Sequence, residues 1–145
     1  MIKEFNRLGE IQKYYDKESN TYVFKEDGKY ITLIVFNFDL NVEANIRARD
    51  INALNINVWN VDAWDIKTWD IKARDINVWG IDADNINVCN IKADYINSNN
   101  FNADFINYYA VCFSYKNIKC KSIKGRRHNA KHFVLDGKLE VLENE

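Results

Sequence analysis

The stretch IRARD INALN INVWN VDAWD IKTWD IKARD INVWG IDADN, residues 46–85, decides the fold. An aliphatic residue returns every five positions, at Ile46, Ile51, Ile56, Val61, Ile66, Ile71, Ile76 and Ile81, and the beat continues through Ile86, Ile91, Ile96, Phe101 and Ile106. Two residues after each stands a smaller one, such as Ala48, Ala53, Val58, Ala63, Thr68 and Ala73. A turn former precedes each, such as Asp50, Asn55, Asn60, Asp65 or Gly80. An α-helix would spread these isoleucines around its surface, because five residues advance it by about 500°. A straight strand would send them alternately to opposite faces. The pattern fits a three-residue strand followed by a corner. Positions one and three point inward, position two points outward, and positions four and five turn the chain. Asp, Asn and Gly suit such corners because they tolerate left-handed backbone or bond to it locally.

The number of corners per coil is read from longer recurrences. Ile-Asn-Val-Trp occupies residues 56–59 and returns at 76–79. Ala53, Ala73 and Ala93 share that spacing, as do Ala63, Ala83 and Ala103, and Asn57, Asn77 and Asn97. Four corners then close a coil of 20 residues. The expectation is an all-β solenoid, a quadrilateral β-helix whose coils stack at about 4.8 Å.

Over about residues 36–115 the chain resembles the pentapeptide-repeat family. The family motif runs small, Asp or Asn, large, then two variable residues. Here the spacing and the middle Asn are kept, while the large and small inward positions are exchanged. The resemblance implies a right-handed quadrilateral β-helix.

The flanks read as covers for the unpaired ends of such a stack. Ile2, Phe5, Leu8, Ile11 and Tyr15 recur at helix-like spacing, and Asp27-Gly28 signals a hairpin between apolar runs. After Ile106 the repeat decays into Tyr108, Phe113 and Tyr115, which suit a plug. Phe133 to Leu135, Asp136-Gly137, then Leu139 to Leu142 read as a second hairpin. The expected organisation is an N-terminal helix-plus-hairpin cap over 1–35, the β-helix over 36–115, and a basic segment with a C-terminal hairpin cap over 116–145.

The formal charge of −1 conceals an uneven distribution: residues 41–106 carry 6 basic and 10 acidic side chains, residues 107–145 carry 8 and 4. No apolar run approaches the length of a membrane span, and the first residues lack an apolar signal core. The odd number of cysteines, Cys89, Cys112 and Cys120, without framework spacing, points to free thiols in a reducing cytoplasm.

Chemistry is sparse. The two histidines, His128 and His132, belong to no phosphate-loop, nucleophile-elbow or zincin motif. Cys112, Cys120, His128 and His132 have the wrong cysteine spacing for a zinc site. The sequence therefore implies no enzyme, no catalytic residue, no cofactor and no metal.

On a four-sided prism the outward residues sort into faces. Asn57, Asn77 and Asn97 form an uncharged column with Trp59 and Trp79 stacked at its edge, a candidate interface. Asp62 and Asp82, with Asp84 and Asp104 one corner along, form a candidate acidic face. Lys124, Arg126, Arg127 and Lys131 form a basic tail. The expected function is a non-catalytic rigid scaffold that binds a protein partner or a second copy of itself, from a phage or other mobile element. Nucleic acid enters only through the basic tail. Two alternatives stand beside it. Family resemblance implies a DNA mimic that inhibits or protects a type II topoisomerase. A phage counter-defence protein is the other.

Overall fold

The computed structural model describes residues 1–142. It is a β-solenoid of about 6 stacked turns. Within the strand Asp65–Asn77, Ile66, Thr68, Ile71, Ala73 and Ile76 are buried while Lys67, Lys72 and Asn77 are exposed. The pentad is thus a short strand with a corner, and its inward pair fills the bore.

The expected all-β β-helix is the fold, but its coil differs from the expected one. Ile51 pairs with Ile66 and Ile66 with Ile81. Ile56 pairs with Ile71 and Ile71 with Ile86, while Ile46, Val61, Ile76 and Ile91 form the third column. Each of these steps is three pentads, with different steps only in the first and last coils, so the prism has three sides and the expected four-pentad coil is not formed. All strands of the stack run parallel.

Outward charge favours a step of three pentads, although that step also sets Asp50 beside Asp65. The in-out alternation of a pentad is indifferent to how many pentads close a coil, because every side offers the bore the same pair of residues. The outward positions are not indifferent. A step of three pentads sets Asp62 beside Arg47 and Lys67 beside Asp82. A step of four would set Arg47 beside Lys67, Lys72 beside Lys92 and Asp62 beside Asp82. Directly opposed side chains shift stability by about 0.2–1 kcal/mol per pair, with the sign set by the charges.

Side I is centred on Ile46, Val61, Ile76 and Ile91; side II on Ile51, Ile66 and Ile81; side III on Ile56, Ile71 and Ile86. The few hydroxyls that enter the bore are satisfied there. Thr68 Oγ1 has the carbonyls of Leu54 at 2.9 Å and Asp70 at 3.2 Å as acceptors for its one proton, and Ser114 Oγ reaches the carbonyls of Asn99 and Asn117 at 2.8 Å.

The N-terminal end is closed. Ile2–Phe5 lies parallel to Leu33–Phe36, which stacks on Asp50–Ala53, and Thr21–Val23 stacks on Asn45–Arg47. The expected helix is a short 3-10 helix, Leu8–Tyr14, that buries Ile11 and Tyr14; Ile2 and Phe5 belong to the preceding strand. Phe5, Tyr14, Phe24 and Phe36 pack edge to face or tilted, with Phe5 stacked on Phe36, at neighbouring centroid distances of 5.0 to 6.0 Å. Asp27 and Gly28 both adopt positive φ, 48° and 75°, in the tight turn joining Lys25–Glu26 to Lys29–Tyr30.

The C-terminal end is built differently from the expected hairpin cap. Ser122–Gly125, Lys131–Val134 and Lys138–Val141 each lie parallel to Gly80–Cys120, as one more coil. Asp136-Gly137 is a corner of that coil and not a hairpin turn. A Cβ on Gly137 would overlap the Lys116 carbonyl oxygen, so the close passage of chain over chain requires glycine. The in-out alternation of Phe133 to Leu142 suits parallel stacking as well as antiparallel pairing, and the coil below supplies the parallel template.

Candidate interaction surfaces

The three-sided coil redistributes the residues singled out by the sequence. Asn57, Asn77 and Asn97 fall on sides III, I and II and form no column. Each instead sits beside a different neighbour: Asn57 Nδ2 donates to Asn41 Oδ1 at 3.2 Å, Asn77 pairs in register with Asp62, and Asn97 Nδ2 donates to Asp82 Oδ1 at 3.3 Å. Amide ladders do form, at the corner before each aliphatic. Asn55 donates to Asp39 at 2.8 Å, Asn85 to Asp70 at 2.6 Å, Asn90 to Asp75 at 2.7 Å and Asn100 to Asn85 at 2.8 Å.

Asp62, Asp82, Asp84 and Asp104 likewise share no face. Asp62 lies 3.4 Å from Arg47 Nε on side I, and Asp82 is the cross-strand neighbour of Lys67 on side II. Asp84 accepts from Asn99 at 3.2 Å at one corner, while Asp104 meets Lys121 Nζ at 3.3 Å at another. Positive and negative side chains interleave along the prism.

The tryptophans all point out, at 42% to 63% exposure, as position four demands. Their partnership differs from the expected one. Trp59 and Trp79 stand on the two opposite edges of side I and do not touch. Trp79 stacks on Trp64, with ring centroids 4.9 Å apart and planes 7° from parallel. The Arg49 guanidinium covers the other face of the pair at 4.6 Å from the Trp64 centroid. Trp59 carries Arg74 over its ring at 5.1 Å, and Trp69, the most exposed indole, projects from the edge between sides II and III.

The edge between sides I and II therefore bears a continuous column, Arg49, Trp64, Trp79, Asp94, Tyr109, then Arg127, with the Arg126 side chain reaching into it from the neighbouring position. Arg126 Nη2 is 3.1 Å from Asp94 Oδ1, and its guanidinium lies 5.6 Å from the Tyr109 centroid. Tyr95, 58% exposed, flanks the column. A spacing of three pentads between Trp64 and Trp79, and between Asp94 and Tyr109, is the signal that finds this column in the sequence. Behind it Asp50 and Asp65 are neighbours in the stack. Burial pushes the Asp50 carboxyl up, Arg49 opposes that, and the charge of Asp65 adds to it. Asp65 has room because the next residue in its column is Gly80, where a Cβ would crowd the carboxylate.

Of the basic tail, Arg126 is engaged by Asp94, while Lys124 and Lys131 project from strands of the last coil. The thiols of Cys112 and Cys120 are buried in the bore; burial pushes Cys112 up to about 12 and Cys120 in the same direction, so both stay protonated at neutral pH. His132 Nδ1 lies 2.8 Å from the Tyr108 hydroxyl. Among the described residues no three His, Cys, Asp or Glu side chains gather into a metal-binding group, and no helix is long and apolar enough to cross a membrane. No protein-family model, curated protein or solved structure matches the chain.

Proposed function

We propose that the protein is a non-catalytic, rigid repeat scaffold that binds another protein, and that the edge between sides I and II carries the contact. The observation behind this is the Arg49, Trp64, Trp79 stack: two large indoles held in one orientation by each other and by a guanidinium, yet 45% and 58% exposed. Trp, Tyr and Arg are the residues in which interface binding energy concentrates. Their placement on a stacked solenoid limits the ordering entropy that docking would otherwise cost. The pentad period supports kinship with the pentapeptide-repeat family, and the three-pentad coil is where this chain departs from that family's four-sided geometry.

The test is the pair of substitutions Trp64→Ser and Trp79→Ser. The double variant is expected to keep its β-sheet circular dichroism and to melt within a few degrees of the parent. It should lose a saturable one-to-one complex that the parent forms with a protein purified by affinity from host lysate. A double variant that melts far lower and keeps the complex would make the stack structural and defeat the reading.

A further inference from the structure

The two ends of the solenoid are unlike. The N-terminal coil is roofed by the 3-10 helix and its aromatic cluster. At the other end, Ser122–Gly125, Lys131–Val134 and Lys138–Val141 each pair with Gly80–Cys120 on one side and, among the described residues, with nothing on the other. No residue from 121 to 142 is buried. Leu139 and Val141 continue the inward columns of Ile118 and Cys120, which are 0% and 1% exposed, yet they are themselves 39% and 50% exposed. Among the described residues the bore is uncovered here, with an apolar floor and unpaired backbone edges on three sides.

We propose that this open end is a β-augmentation site for an extended acidic peptide, which adds one more strand in register. Such addition supplies the backbone donors and acceptors that an open edge presents, while alternate side chains settle into the floor. Charge selects the peptide. Each of the three terminal strands carries one outward lysine, Lys124, Lys131 and Lys138, the last with the outward Glu140 on the same strand, and residues 121–142 hold six basic against two acidic side chains. An added strand places its outward side chains directly across from these lysines, where opposite charge stabilises and like charge destabilises.

The same lysines disfavour a second copy of this chain, because an end-to-end pair would set them against their own equivalents; edge lysines are a recognised guard against self-pairing. A nucleic acid could neutralise the lysines with phosphates, but it has no amide backbone to continue the ladder and no apolar side chains for Leu139 and Val141.

The experiment titrates the full chain into a labelled peptide of about six residues alternating Glu and Val, read by fluorescence anisotropy. Two control peptides carry Lys in place of Glu, or an N-methyl group on the central amides. The acidic peptide should bind saturably, and both controls should bind at least about tenfold more weakly. Lys131→Glu with Lys138→Glu should reverse the preference toward the lysine peptide, an outcome unfolding cannot mimic. Trp64→Ser with Trp79→Ser should leave binding unchanged, so this site stands or falls separately from the tryptophan edge. Equal affinity for all three peptides, or no binding, overturns the proposal. So does a single-stranded oligonucleotide that binds this end more tightly than the peptide, or a dimer formed through it without peptide.

Discussion

Ile71 and Lys72 are adjacent in the chain and opposite in environment: one is 2% exposed in the bore, the other lies outward between Asn57 and Asn87. An unpaired carboxylate in the bore costs several kcal/mol, comparable with the roughly 5–15 kcal/mol that holds a domain folded. Ile71→Asp is therefore expected to abolish the cooperative thermal transition, and Lys72→Asp to move it by no more than a few degrees. Equal melting temperatures would contradict the inward register. Glu26 offers a second test at this scale, in pH. Hydrogen bonds from Lys3, then Tyr14, hold its carboxyl down from 4.5 to about 2. Because the folded value is the depressed one, the ion contributes stability above the ordinary carboxylate range. That contribution drains away as pH falls through 4.5 toward about 2. Glu26→Gln should lower the melting temperature at neutral pH and flatten its decline in acid. Parallel pH profiles for the two proteins would assign the contact no role.

The coil is the element that sets everything else, and its length can be tested without a structure. In a Cys89→Ser background, cysteines at Asn57 and Lys72 would be parallel cross-strand neighbours, within the separation a disulfide spans. Cysteines at Asn57 and Asn77 would sit on different sides. Mild oxidation should cross-link the first pair and spare the second; the opposite result would restore a four-sided coil. What was legible here follows from physics. The inward isoleucines and alanines repeat with each pentad, so strand, corner and face could all be read from residues 46–85. The side count could not come from them, since any whole number of pentads satisfies the bore. It was written in the outward column, where Arg47 with Asp62 and Lys67 with Asp82 alternate in sign only at a step of three pentads. The return of Ile-Asn-Val-Trp from 56–59 to 76–79 concerned which side chains repeat, not which ones touch. The site follows the same logic: outward tryptophans at position four are legible in the sequence, but the stacking of Trp79 on Trp64 and not on Trp59 depends on the side count. The final coil is not legible because Asp136-Gly137 makes a good hairpin turn in isolation, whereas the corner it forms depends on the chain beneath.

Across the repeat coils the charges interleave along the prism instead of gathering on one acidic face, and the excess of positive charge lies in the last coil. Asp62 and Asp104 are in ion pairs, and Asp82 stands beside Lys67. Mimicry of duplex DNA needs closely spaced negative charge over a broad surface. The protein is therefore expected to leave the supercoiling activity of a type II topoisomerase unchanged at low micromolar concentration. Potent inhibition, relieved by Asp62→Lys with Asp82→Lys, would show that these aspartates act together despite their neighbours.

The roofed first coil has a consequence for how the chain is born. Synthesis delivers the N-terminal end first, and in this fold that end is the finished one. Each coil needs only the coil before it as a template, so structure can advance behind the ribosome one coil at a time, with coils about a second apart at ordinary elongation rates. The raw strand edge moves forward with the nascent chain and stays at its growing tip. Permuting the sequence so that the aromatic roof emerges last should slow productive folding during translation and raise the aggregated fraction, while leaving the stability of whatever folds nearly unchanged.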